Sequence, residues 1–227
     1  MSVAGLRAEM EYDLSWRLDE IRFLRNQMLS IPGEDGKRKF RRAIVLMLYA
    51  HYEGFCKLAL QQYVRAINRA SVRCSQASPA VVAGTWHQLF TELEDSGRRS
   101  RLFKGNQSDP KLHRLARRVE FIEKFEDFQD SMVDMPEDVV DSESNLWPVV
   151  LRKNLFRVGL DPEAFEKYDG VIYNLLNKRN GVSHGADQHG LEEKEYKEME
   201  EAVLMLMEGV MELVMLSVQE ERFRRPQ

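Results

Sequence analysis

The sequence predicts an all-α protein, a bundle of about four core helices carrying an inserted helical region. Three observations predict it. Helix breakers are scarce, with 13 glycines and 7 prolines in 227 residues. Apolar residues recur at three- and four-residue steps over long stretches, which is the period of a helix face. No segment alternates apolar and polar residues over the length of a strand.

The first helix is expected from about Gly5 to Ser30, where Leu6, Met10, Leu14, Leu18, Ile21, Leu24 and Met28 make one apolar stripe. The turn cluster Ile31-Pro-Gly-Glu-Asp-Gly36 stops it. The second helix is expected from Lys37 to about Arg69. Between Ala43 and Ile67 it is apolar round most of its circumference, as suits the central helix of a bundle. From Ser71 to Asp161 the pattern loosens, and residues from about 71 to 145 read as an insertion into a single domain spanning 1–227. Within it a helix is expected from Pro110 to Met132, and a shorter one follows at Leu146–Val158. The fourth major helix is expected to begin at Asp161-Pro162, with Asp161 as N-cap and Glu163 in the first turn. It is expected to end at Gly181. The last helix should run from Leu191 to Arg222.

Composition narrows the function classes. Hydrophobic residues at 43 % and charged residues at 31 % describe a folded globular chain. The N-terminus lacks an apolar core of signal-peptide length. The most apolar stretch, Ala202–Val218, contains Glu208 and Glu212, which argues for a buried bundle helix and against a membrane span. Cys56 and Cys74 form no disulfide framework, so a reducing compartment, the cytoplasm, is expected. A net charge of −4 argues against a basic coat for nucleic acid. Basic residues nonetheless cluster at Lys37–Arg42, Arg98–Arg118 and Arg222–Arg225. Each cluster reads either as a solvated helix face or end, or as part of a phosphate track.

The candidate chemistry is concentrated in one place. The chain has no glycine-rich phosphate loop and no nucleophile elbow. His184, Asp187 and His189 share one loop, but no further ligand is evident, so no metal and no cofactor are expected. What remains is Arg179-Asn180-Gly181-Val182-Ser183-His184-Gly185. On an unbroken helix, five positions turn two side chains about 140° apart. A break near Gly181 would let the Arg179 guanidinium and the His184 imidazole converge on one target.

These residues resemble the Arg-x4–6-His motif of the HEPN superfamily, and in particular the standalone prokaryotic families with an RNxxxHG-type motif. Tyr49-Ala50-His51-Tyr52-Glu53-Gly54-Phe55 resembles their Y-A-x-[FY]-E-G-F segment. Asn145-Leu146 and Gly159-Leu160-Asp161 supply a third match. Together the matches cover the framework of the chain, with Ser71–Glu143 least constrained. The resemblance implies a HEPN-type bundle and metal-independent cleavage of single-stranded RNA or tRNA, in a homodimer whose two motifs face each other. It also implies a role as a toxin or in phage defence, with an antitoxin or a nucleotidyltransferase as a further partner.

The chemistry suits those residue types. His184 is the expected acid/base for the 2′-OH and the 5′-oxygen, and Arg179 the planar cation that steadies the phosphorane. Asn180, Ser183 and Glu53 are expected to support them. Tyr49, His51 and Tyr173 are candidates for contact with substrate bases, against the reading that they only pack. The alternative function is a non-catalytic HEPN module that binds RNA, a nucleotide or a protein.

Overall fold

The computed structural model describes residues 2–95, 97–99, 103, 109–185 and 190–226. Its helices are α1 (Val3–Ser30), α2 (Glu34–Arg69), α3 (Pro79–Thr85), α4 (His87–Glu94), α5 (Pro110–Glu123), α6 (Phe125–Asp130), α7 (Pro148–Arg157), α8 (Asp169–Ser183) and α9 (Glu193–Gln219). The described residues contain no strand, only isolated bridges at Arg73–Met132 and Ala77–Arg224. The chain is an all-α bundle of α1, α2, α8 and α9 with an inserted helical region.

α2 is central, touching α1, α8 and α9. Tyr52, Phe55, Cys56, Ala59, Tyr63 and Val64 along it are fully buried. Burying so many large side chains, at about 1.5–3 kcal/mol each, is what holds the bundle together. By length and composition α2 could cross a membrane, but 56 % of that stretch is buried inside the bundle. Cys56 and Cys74 are free and buried, and burial raises the pKa of the Cys56 thiol.

Several boundaries differ from those the sequence predicts. α2 starts at Glu34, because Gly33 adopts a positive φ of 76° that closes the turn, and Glu34 and Asp35 suit a helix N-terminus. The helix expected over Pro110–Met132 is broken at Lys124 into α5 and α6. Phe121, Phe125 and Phe128 there gather round Trp86, with centroids 6.0–6.3 Å from its ring. α8 starts at Asp169 rather than Asp161. Asp161 caps only a short turn, its carboxylate accepting from the Glu163 N–H at 2.9 Å. Arg152 on α7 then gathers Glu163 at 2.8 Å and Asp169 at 2.5 Å, holding the intervening residues in a bent path.

The start of α9 is pinned to α2. Arg41, 1 % exposed, donates to Glu34 at 2.6 Å and to the Leu191 carbonyl at 3.1 Å. The Leu191 N–H donates to the Arg38 carbonyl at 3.2 Å. At Gly190 a Cβ would collide with the Arg38 backbone, so only glycine allows this approach.

Candidate active site

α8 presents two faces. Ile172, Leu175 and Leu176 are its buried residues, and Arg179 follows them at steps of seven, four and three. Arg179 therefore continues the core-facing stripe. At the end of the core its guanidinium has no apolar partner left and lies over the Tyr49 ring of α2, 4.8 Å from the centroid. Its Nη1 donates to the Asn180 side-chain oxygen at 2.8 Å. A half-buried cation over a phenol face contributes about 0.5–2 kcal/mol.

Tyr49 is itself held tightly. It is 3 % exposed, its hydroxyl accepts from the Leu146 N–H at 3.1 Å, and it donates to the Glu53 carboxylate one turn along α2. Burial, with the Glu53 charge adding to it, raises the Tyr49 pKa, so it stays a neutral phenol. Tyr52 donates to the Leu146 carbonyl at 3.0 Å. Two tyrosines of α2 thus satisfy both backbone groups of one buried residue. The chain reaching Leu146 is strained: Glu143 and Ser144 both have positive φ, 47° and 75°. The Asn145 Oδ1 beside them is buried without a partner.

The helix does not break at Gly181, and this corrects the sequence expectation. α8 runs through to Ser183, with His184 as its C-cap. The stop comes at Gly185, which takes φ 69° just past the cap and donates to the Val182 carbonyl at 3.1 Å. A single glycine past the cap is enough to end a helix, whereas Gly181 lies within the helical run. Arg179 and His184 therefore leave one continuous helix about 140° apart. Arg179 is half-buried, while Ser183 and His184 are exposed. Asn180 links the two faces. It lies four residues before His184, on the same side of the helix, and its side chain accepts from Arg179.

Of the expected supporting residues, Asn180 touches Arg179 directly and Glu53 reaches it through Tyr49. Glu53 makes no ion pair with Arg179 among the described residues. Gly54 has a separate use: a Cβ there would come within 2.8 Å of the Arg17 guanidinium, which lies across it from α1 and is held by Asp13 at 2.6 Å. His51 stands apart. It is 2 % exposed and faces α1, with its Nε2 3.1 Å from Glu20 and its ring edge-on to Trp16. Burial lowers its pKa. Tyr173 is 57 % exposed and packs against Trp147, with centroids 4.9 Å apart. It shares the side of α8 that carries His184, but eleven residues separate the two, about 16 Å along the axis.

No group of three or more His, Cys, Asp or Glu side chains gathers as a metal set among the described residues. Asp187 and His189, on which a metal reading would depend, lie outside the described residues. The contributions of Leu146, Asn145 and Trp147 are invisible to helical periodicity, because they come from a loop. Their only sequence signal is the Asn145-Leu146 match.

The clusters at Lys37–Arg42 and Arg222–Arg225 are largely committed to local contacts, and within Arg98–Arg118 so are Arg98, which pairs with Glu92 at 2.5 Å, and Arg117. Arg117 donates to the Asp95 carbonyl at 2.8 Å and to that of Arg98. Arg38, Lys39 and Arg41 pair with Glu192, Asp35 and Glu34. Arg222 and Arg224 pair with Glu220 and Glu221. Arg101 and Lys104 lie outside the described residues.

Comparison with known proteins adds one match. A family model described as MAE_28990-like HEPN matches residues 6–223. No curated protein and no solved structure matches the chain.

Proposed function

The chain belongs to the MAE_28990-like HEPN family, and from that premise we propose that it is a metal-independent endoribonuclease working as a homodimer. The observation that carries the reading is the end of α8. A permanently charged guanidinium is fixed there by Tyr49 and Asn180, and an exposed imidazole follows one turn after Asn180, where Gly185 ends the helix.

These groups suit cleavage by the substrate's own 2′-OH. His184 takes the 2′-OH proton or returns one to the departing 5′-oxygen. Arg179 offers a planar fork to two phosphoryl oxygens as charge builds on the phosphorane. The products are a 2′,3′-cyclic phosphate and a 5′-OH end, and DNA, which lacks the 2′-OH, is left intact. Because one α8 directs Arg179 and His184 to different sides, the site we propose is composite. Arg179 of one copy and His184 of the other grip the same phosphate. Such a nuclease harms its host unless restrained, which is why a toxin or phage-defence role with an antitoxin or nucleotidyltransferase partner forms part of the proposal. The proposed compartment is the cytoplasm.

Purified protein is expected to shorten single-stranded RNA or tRNA in EDTA, and His184→Ala and Arg179→Ala each to reduce the rate by about 100-fold or more. Cleavage persisting in both variants refutes the assignment. The divergence of the two side chains within one chain also favours a second reading, a HEPN module that binds RNA without cutting it. Retention of RNA at constant length, in wild type and variants alike, would select that reading.

A further inference from the structure

The largest of the described cavities, 760 Å³, lies away from Arg179 and His184, between α3, the segment Pro136–Asp141 and the end of α7. We propose that it binds a small amine: an apolar, ring-sized body carrying one ammonium group.

The cavity exists because its floor lacks side chains. Ala80, Ala83, Gly84 and Gly159 line it. Gly159, at φ 79°, sits where a Cβ would come within 3.3 Å of the Ser78 Oγ, and at Gly84 one would meet the Met135 side chain at 2.7 Å. At Gly159 the positive φ disfavours any larger residue, so the hollow on that side is set by the backbone. Pro136, Val139 and the outward-facing Phe156, 66 % exposed, complete an apolar rim. A volume of this size suits a small molecule, and apolar walls with a few polar groups are the usual build of such a site.

The polar groups define the head of the ligand. The Ser78 hydroxyl is buried, has no partner, and leaves its position at the start of α3 without making a capping bond. Asp138 and Asp141 both line the cavity. Asp138 has no hydrogen-bond or ion-pair partner among the described residues. Asp141 uses one carboxylate oxygen locally, accepting from the Glu143 N–H at 3.0 Å. Of the basic side chains lining the cavity, Arg157 is already engaged by Glu143 at 3.5 Å and by the Asn154 side-chain oxygen at 3.4 Å, and His87 carries an imidazole that can itself accept from an ammonium. Two carboxylates therefore await a donor, and a phosphate or carboxylate ligand would meet like charge. An ammonium supplies three donors, and an apolar body covers the floor.

The test is calorimetric titration of the full-length protein with tryptamine, and in parallel with indole-3-propionate, which has the same ring and the opposite charge. Tryptamine should bind at one site with a Kd of about 1 mM or tighter. Indole-3-propionate should bind at least about tenfold more weakly. Ala83→Trp, which fills the hollow, should abolish tryptamine binding, and the surface change Asp138→Asn should weaken it about fivefold or more. Absence of saturable tryptamine binding up to about 10 mM overturns the proposal. So does equal binding of the two ligands, or unchanged binding in Asp138→Asn. The Asp138→Asn result stands even if Ala83→Trp fails to fold. No outcome depends on RNA cleavage, so this inference and the nuclease assignment fail separately.

Discussion

A guanidinium lying over a phenol ring explains why Arg179 and Tyr49 belong together, although they stand 130 positions apart in sequence. The ring supplies a neutral face, and its hydroxyl, committed to Glu53 and Leu146, keeps the ring from turning away. Lysine at 179 would lose both the planar stacking and the fork that reaches Asn180. His51 shows how a residue in the same motif is used differently. It is buried beside Glu20 and Trp16, and burial holds its pKa below 6.5. A base whose folded pKa is lowered binds its proton less readily in the folded state than in the unfolded one. The protein should therefore lose stability as pH falls through the unfolded value of 6.5 towards the lower folded one. His51→Gln removes that titrating group, so urea unfolding between about pH 7.5 and 5.5 should show a shallower decline than in wild type. Equal slopes in the two proteins would count against the assignment.

At the scale of elements, helix ends matter more than helix middles. α8 is reached through a bent segment that Arg152 gathers with Glu163 and Asp169, and it leaves its helical path only at Gly185. The result is a helix whose final turn carries Arg179 on the core side and His184 on the outer side. α9 is positioned by the close approach of Gly190 to the Arg38 backbone and by Arg41 reaching across to Leu191. A single methyl group at Gly190 should push the two chains apart. Gly190→Ala is expected to lower the unfolding free energy by about 1–3 kcal/mol, measured by urea denaturation. A change below about 0.5 kcal/mol would show that the contact adapts at no cost.

The whole molecule raises the question that one chain leaves open, namely how two diverging side chains act on one phosphate. If the site is shared between copies, the two motif variants should complement each other. In a dimer of one Arg179→Ala chain and one His184→Ala chain, one composite site has lost both groups and the other retains both. Random mixing of the variants, after brief unfolding and refolding together, should restore about a quarter of wild-type RNA cleavage. No recovery from the mixture would mean that each chain carries its own site, and that the guanidinium must swing round α8 to meet the imidazole.

Local sequence determined the helical class, the apolar stripes of α1 and α9, the central place of α2 and the position of the Arg179–His184 motif, because each depends on neighbours three or four residues apart. The helix stop after His184 was also legible in principle, since glycine takes the positive φ that Gly185 adopts without the strain a side chain adds. Only the tertiary structure decided that Gly181 stays helical, that His51 turns towards α1, and that Glu53 reaches Arg179 through Tyr49. It alone shows Leu146 clamped between two tyrosines and a cavity left open by Gly84 and Gly159. Each of these depends on groups distant in sequence meeting across packed helices, and side-chain periodicity records which face is apolar without recording what that face will touch.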